Sequence, residues 1–396
     1  MEGVTELVPS AHQRERLFLL DLLAQKSGAV PADLDVDAFL AITPDNLHAF
    51  VHARLLKLPG APRALLERTA ASYRRNAMMM LQRTADLRRL DEALRTAGIP
   101  YLVLKGPILA HTVYPEPAMR TMLDLDLLLH DADLERATKT LEELGYRVPE
   151  HFAGTTTNPG DTPPMIDTKF GSAVLELHTV LDSMPHGDSS ADAAWAGARR
   201  VPIGHGVELP TLGRDEFFAH VVMHVSRHHR FEGELRSLLD VALFLQSDEA
   251  SLDWRALDEE WQRRGISPWI ELTITLAHIL LGSPIPDVFE NRRPSLEALA
   301  IAAEQLWVTD EHFVPTRITQ ALAGGAPAPI YHGTPRAVPV PKGMRFRIGR
   351  EWKRVLRAMR AVRTGGLRPR NVAKSVDLHL KRERLFAMLE NERPLR

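Results

Sequence analysis

The sequence predicts an α+β fold that is mostly helical, with a small mixed sheet between N-terminal and C-terminal helical regions. Apolar residues recur about every 3.6 positions through the first hundred residues and again after Asp215, as in amphipathic helices. Between these stretches, the apolar runs at 101–104, 125–129 and 173–178 have the length of strands. The order of the patterns therefore predicts helices, then a short sheet, then helices again.

These patterns divide the 396 residues into four predicted regions. Residues 1–98 form an N-terminal helical region that ends at Gly98, since glycine commonly follows the last turn of a helix. Residues 99–212 form an α/β core, and residues 213–322 form a helical domain that closes its cleft. Residues 323–396 contain a linker rich in proline and glycine, followed by a basic helical tail.

Composition narrows the class of protein. The chain contains no cysteine, which excludes disulfides, thiolate nucleophiles and cysteine zinc sites, and which fits a cytoplasmic protein. A formal net charge of −2 provides no overall attraction to nucleic acid or to a membrane surface. The N-terminus lacks the pattern of a signal peptide, and no run approaches the ~18 apolar residues of a membrane span. We expect a cytoplasmic protein with no membrane partner.

The tail carries a run of cations that has two readings. Their spacing distributes them around a helix, which favours a solvated helix. The alternative is a surface that binds an anionic acceptor, a nucleic acid or an acidic partner. The cations are Arg345, Arg347, Arg350, Lys353, Arg354, Arg357, Arg360 and Arg363.

Two neighbouring aspartates carry the strongest chemical signal. Asp124 and Asp126 lie in an apolar strand, where alternation points both to one face and points Leu125 and Leu127 to the other. Adjacent carboxylates repel each other unless a cation lies between them, and magnesium prefers such oxygen ligands. A solvent-facing strand edge is the alternative, but aspartate is depleted in strands. The pattern favours a metal site.

A glycine turn precedes this strand. Lys105 and Gly106 join a strand to a helix, and glycine there lets backbone amides approach a phosphate closely. Lys105 and, from the loop before the aspartates, Arg120 have the reach to contact a triphosphate. The alternatives are a surface lysine at a turn and an arginine that pairs with Glu116.

A series of short motifs extends this pattern over roughly residues 15–285. In order, they are Lys105-Gly106, Tyr114, Arg120, Asp124-Leu125-Asp126-Leu127-Leu128, Gly145-Tyr146, Glu176-Leu177-His178, His224, Leu238-Leu239-Asp240 and Leu252-Asp253-Trp254. The series resembles the uncharacterised nucleotidyltransferases of the polymerase-beta-like nucleotidyltransferase superfamily.

The resemblance implies transfer of a nucleoside monophosphate from NTP to an acceptor on a small molecule, peptide or protein, with release of pyrophosphate. Two magnesium ions would activate the acceptor hydroxyl and clamp the triphosphate. Their implied ligands are Asp124, Asp126 and Glu176. The implied phosphate-binding residues are Lys105, Gly106 and Arg120.

The acceptor half of the site is less defined. His178 follows Glu176 by two positions, so both face the same way on a strand. His178, His224 and Asp240 are candidates for the acceptor site or the cleft, although Asp240 also suits helix packing. Glu176 acting as base on the acceptor hydroxyl is an alternative to its role as a ligand.

Pro107 departs from the superfamily pattern. It stands where many members have serine, so a hydroxyl and an amide contact to phosphate are missing. This departure keeps open an alternative function, a catalytically degenerate module that binds nucleotide or a partner. A nucleic-acid polymerase is disfavoured, because the chain lacks a strong overall basic charge.

A run of histidines needs a separate interpretation. His220, His224 and His228 fall at i, i+4 and i+8, which predicts that one helical face carries all three. Three histidines on one face could bind zinc. The sequence has no HExxH pattern, however, and we interpret the run as a polar face that lines the cleft.

Overall fold

The computed structural model describes residues 2–122, 124–149, 162–168, 174–181, 194–204, 206–308 and 369–391. Most of the predicted linker and tail, including all of the tail cations named above, lies outside the described residues.

Helices dominate the described part of the chain, which confirms the predicted α+β class. The N-terminal region contains α1 (Glu2–Leu7), α2 (Gln13–Leu23), α3 (Val36–Ile42), α4 (His48–Leu55) and the long α5 (Arg63–Thr96). Helix α5 ends just before Gly98, whose φ of +62° is the left-handed conformation expected after a last turn.

A five-stranded mixed sheet follows. Its strands are β1 (Tyr101–Val103), β2 (Asp124–Leu129), β3 (Tyr146–Arg147), β4 (Met165–Asp167) and β5 (Val174–His178), in the spatial order β1-β2-β5-β4-β3. Strands β2 and β5 are parallel, and the other pairs are antiparallel. Helix α6 (Gly106–Thr112) follows β1, and helix α7 (Leu134–Leu144) follows β2. The central strands are therefore β2 and β5, which carry the predicted acidic residues.

A small hairpin, β6 (Arg199–Pro202) and β7 (Glu208–Thr211), lies beside β1. The Thr211 hydroxyl donates a hydrogen bond of 2.7 Å to the Val103 carbonyl, which holds the hairpin against the sheet.

The chain then returns to helix. The elements are α8 (Arg214–Met223), a π-helical turn (His224–His228), α9 (Leu235–Gln246), α10 (Trp254–Arg263), α11 (Ser267–Leu281) and α12 (Leu296–Gln305). Caps define two of these starts: the Asp253 side chain accepts from the Ala256 amide at 3.1 Å, and Ser295 caps Ala298 in the same way. The core of this region is aromatic and includes buried Trp261, Trp269, Phe217, Phe218 and Phe244.

The chain divides into two compact units. The first comprises residues 1–307 and 389–396, and the second comprises residues 308–388. The predicted divisions after residues 98 and 212 fall inside the first unit and remain predictions. Apart from Val308, the described residues of the second unit belong to helix α13 (Pro369–Asn391), whose last three residues are assigned to the first unit. Every helix in the described ranges is too short or too polar to span a bilayer.

Candidate active site

Parallel pairing of β2 with β5 brings three carboxylates together. Asp126 is the register partner of Glu176, and Asp124 lies two residues earlier on the same face of β2. The opposite face of β2 carries Leu125 and Leu127, which are fully buried. Burial of the two leucines in the core fixes the orientation of β2, so the side chains of the acids point to the other side of the sheet.

Asp126 is the buried member of the group. Its carboxylate lies 2.8 Å from the Lys105 ammonium and 3.4 Å from Nε2 of His178. Burial alone would raise the pKa of Asp126, but the charge of Lys105 and the hydrogen bond and charge of His178 outweigh it. The pKa of Asp126 is held well below its ordinary value, so this group is a carboxylate at neutral pH.

Glu176 is shifted in the opposite direction. Burial, followed by the charges of Asp126 and Asp124, raises its pKa. His178 lies 4.0 Å from the Glu176 carboxylate, and ligand atoms of Asp126, Glu176 and His178 all lie within 4.8 Å of one another. Crowded carboxylates of this kind are stabilised by a cation. Carboxylate oxygens are the donors that magnesium prefers, and the group whose ligand atoms lie close enough for one ion is Asp126, Glu176 and His178.

Lys105 reaches Asp126 through an unusual backbone. Its φ of +46° and ψ of −105° lie in a backbone region that residues other than glycine rarely adopt. It directly precedes α6, and the Leu104 amide donates to the Asp126 carbonyl at 3.0 Å. Such strain persists only where surrounding contacts hold it, and strained residues cluster at functional sites. The ion pair with Asp126 is one of the contacts that hold Lys105 in place.

Gly106 is tightly packed. A Cβ on Gly106 would lie 3.0 Å from Nη1 of Arg120 and 3.0 Å from Sδ of Met122. The predicted glycine turn and Arg120 therefore meet in the structure. Pro107, next in the chain, occupies the first turn of α6, where the missing amide hydrogen breaks no helical hydrogen bond.

Arg120 and Asp240 form a buried ion pair. The guanidinium donates two hydrogen bonds of 2.9 Å to the two Asp240 oxygens. Tyr114 donates to the same carboxylate at 2.7 Å, and Arg236 donates at 3.1 Å. Burial would raise the pKa of Asp240, but Arg120 and Arg236 lower it overall. Arg120 thus pairs with Asp240 on α9, and Glu116 accepts from the Tyr73 hydroxyl instead.

The predicted residues line one cavity of about 430 Å³. Its size falls within the range of small-molecule sites. The lining includes all nine predicted site residues: Lys105, Gly106, Arg120, Asp124, Asp126, Glu176, His178, His224 and Asp240.

The same cavity is also lined by residues that sequence reasoning missed, among them Asn46, His229, Glu234 and Arg236. A sequence signal existed for Arg236, which precedes Asp240 by one helical turn. Asn46 lies in the N-terminal region, and nothing in its local sequence indicates the cavity.

The histidine run contains one neighbour more than the predicted face, because the helix widens there. A π-helical turn spans His224–His228, and the His229 amide donates to the His224 carbonyl, five residues earlier, at 3.0 Å. The wider turn brings His229 beside His224 and His228, whereas His220 is fully buried in α8. His220 and His224 are nevertheless neighbours, with ring centroids 6.3 Å apart, and His228 stacks on His224, so the predicted common face is found. The interpretation as a face that lines the cavity does not extend to His220, which is buried outside the cavity lining.

His224 faces the acidic site. Burial, and then the charges of Lys105 and of the neighbouring histidines, lowers its pKa well below the ordinary value. The His224 imidazole is therefore neutral near pH 7. The Nε2 atoms of His224 and His229 lie 3.1 Å apart.

Carboxylates on adjacent strands, beside basic side chains in one cavity, are typical of transferases that act on phosphate-containing substrates. Comparison with protein families supports this class. The family described as uncharacterised nucleotidyltransferase matches residues 33–282, more than half of the chain. The chain belongs to this family. A comparison with curated proteins found no match.

The Arg120–Asp240 pair generates a stability prediction. Asp240→Asn keeps the shape of the side chain but leaves Arg120 as a buried charge without its counter-charge. We expect the free energy of unfolding to fall by roughly 3–5 kcal/mol, measured by urea denaturation. The matched control is Asp37→Asn, which breaks an exposed pair with Arg68 and is expected to cost less than about 1 kcal/mol. Equal losses in the two variants would contradict this account.

The backbone of Lys105 generates a second prediction. Lys105→Ala and Lys105→Gly both remove the ammonium beside Asp126, but only glycine adopts a φ of +46° without strain. We expect the glycine variant to be more stable than the alanine variant by about 1 kcal/mol in urea denaturation. At Lys139, exposed on α7, the order should reverse, because glycine weakens a helix by about 1 kcal/mol relative to alanine. The same order at both positions would refute the strain argument.

Proposed function

We propose that this chain transfers a nucleoside monophosphate from a nucleoside triphosphate to a hydroxyl or similar acceptor on a small molecule, peptide or protein. The reaction is magnesium-dependent and releases pyrophosphate. The observation that carries the proposal is the pairing of Asp126 with Glu176 across β2 and β5, with Asp124 on the same face. Membership of the nucleotidyltransferase family supports the same class of reaction.

The three carboxylates form the metal-binding half of the proposed site. Asp124, Asp126 and Glu176 would hold magnesium, which supplies Lewis-acid stabilisation of the phosphate charge when bound. Lys105 neutralises Asp126 in the structure, at 2.8 Å. We propose that Lys105 turns from Asp126 to the triphosphate when nucleotide binds.

Basic side chains form the phosphate-binding half. Lys105, Arg120 and Arg236 all line the cavity that contains the acids. Arg120 is fixed by its two hydrogen bonds to Asp240, so its position is set before substrate arrives. Such preorganised cations stabilise the charge that develops on the phosphates in the transition state. Asp240 acts in this proposal as a positioning residue for Arg120 and Arg236.

The chemical step is an exchange at the α-phosphorus. The acceptor oxygen forms a bond to this phosphorus, and the bond to the oxygen that bridges the α- and β-phosphates breaks. Pyrophosphate leaves with that electron pair, and the acceptor proton passes to a base. Glu176 is the alternative base on the acceptor hydroxyl if it does not bind the metal. Without metal, burial and the charges of Asp126 and Asp124 raise its pKa, and a bound cation would oppose that shift. His178, beside both Asp126 and Glu176, is placed to orient them or to contact the acceptor.

The acids give the direct test of this proposal. We expect the double variant Asp124→Asn/Asp126→Asn to lose magnesium-dependent NTP binding, because two of the three proposed ligands are gone. Pyrophosphate release on an accepted substrate should fall by about 100-fold or more. Calorimetry in the presence and absence of magnesium measures binding. A screen of candidate acceptors for the added mass of a nucleoside monophosphate, with each NTP, identifies the acceptor and provides the turnover assay.

The matched control is Asp131→Asn/Asp133→Asn. It makes the same change in charge on the short turn that directly follows β2. Circular dichroism of both double variants separates loss of function from loss of fold. If the acid variant binds NTP like the parent, the proposed site is wrong. If the parent binds NTP tightly but modifies no acceptor, the chain is instead a degenerate nucleotide-binding module.

A further inference from the structure

A cluster of three histidines lines the same cavity as the acids. His224, His228 and His229 each offer a ring nitrogen, and these nitrogens lie within 4.8 Å of one another. The closest pair, Nε2 of His224 and Nε2 of His229, is 3.1 Å apart. Two imidazoles on one tetrahedral zinc ion have a nitrogen–nitrogen separation of about 3.3 Å, from Zn–N bonds of about 2.05 Å. The pair is therefore already spaced as two ligands of one ion.

A carboxylate orients one of these rings. Oε1 of Glu234 lies 3.4 Å from Nδ1 of His229, and the other Glu234 oxygen accepts from the Ser237 hydroxyl. The tautomer of His229 that has its proton on Nδ1, toward Glu234, directs the lone pair of Nε2 at His224. A carboxylate behind a histidine in this way is the usual outer partner of a metal ligand, because it fixes the tautomer and the ring orientation.

The third ring completes the set. His228 stacks on His224, with ring centroids 5.2 Å apart and planes 13° apart, and it is exposed on the cavity side. The π-helical turn causes this arrangement, since it brings both His228 and His229 above His224. Turns of this type are rare and occur frequently at functional sites.

We propose that His224, His228 and His229 bind a transition-metal ion of the zinc class, with Glu234 as the positioning residue for His229. Neutral imidazole nitrogens suit zinc, cobalt or nickel, whereas magnesium takes oxygen donors. Three protein ligands leave a fourth position for water or for a donor atom of a bound molecule. All three histidines line the cavity of the proposed active site, so that position is accessible from the cavity.

This site is chemically distinct from the carboxylates. Its donors are nitrogens on the π-helical turn and His229, whereas the magnesium ligands proposed above are oxygens on β2 and β5. The proposal therefore does not depend on the proposed nucleotidyl transfer, and a metal-binding measurement tests it without substrate.

The experiment uses the full chain without a histidine tag, stripped with chelator and titrated with Co²⁺, with Zn²⁺ in competition. We expect one equivalent of Co²⁺ with the visible absorption of four-coordinate cobalt, displaced by one equivalent of Zn²⁺. His228→Asn and His229→Asn should each abolish this absorption, and Glu234→Gln should weaken binding by about 10–100-fold. Mass spectrometry of the metal content counts the ions bound.

Two controls make the result specific. His12→Asn changes an exposed histidine elsewhere, at a left-handed position that asparagine tolerates, and should leave binding unchanged. Asp124→Asn/Asp126→Asn should also retain the cobalt absorption. The proposal fails if the parent gives no such absorption. It also fails if the acid variant loses the absorption while His228→Asn keeps it, or if His12→Asn weakens binding as much as His228→Asn does.

Discussion

The crowding of negative charge between β2 and β5 is the constraint on which the rest of the site depends. Parallel pairing forces Asp126 beside Glu176, with Asp124 two residues away, and Asp126 is buried. Like charges at this spacing destabilise a fold unless cations compensate. Lys105 supplies the compensation from the adjacent turn, and it does so in a backbone conformation that is unfavourable for lysine. The ion pair with Asp126 therefore accounts for the unfavourable backbone conformation of Lys105.

A second ion pair connects the sheet to the helices. Arg120 lies just before β2, Asp240 lies on α9, and both are buried. A buried ion pair is costly to desolvate. Its attraction offsets that cost only where further hydrogen bonds satisfy the remaining polar atoms. Tyr114 and Arg236 provide those bonds here. Through this network, the position of α9 is fixed relative to the strands that carry the acids.

Local patterns explain which parts could be predicted from the sequence. Strand alternation placed Asp124 and Asp126 on one face, because it depends only on neighbours in the chain. The ion pair of Lys105 with Asp126 was not predicted, because it depends on the pairing of β1 with β2. The partner of Arg120 could not be predicted in this way, since Asp240 follows it by 120 positions. Regular helical spacing predicted the neighbours His220, His224 and His228 but not His229, because a π-helical turn depends on packing and leaves no simple periodic signal.

The two proposed ion sites differ in donor type, and this difference has a consequence for selectivity. Transition metals generally bind a given set of ligands more tightly than magnesium does, so carboxylates alone would not exclude them. A nearby set of imidazoles offers such ions a preferred alternative. His224, His228 and His229 share the cavity with Asp124, Asp126 and Glu176. With the softer ion held by nitrogen, the oxygen ligands would stay available to magnesium, and each ion would occupy the donors that suit it.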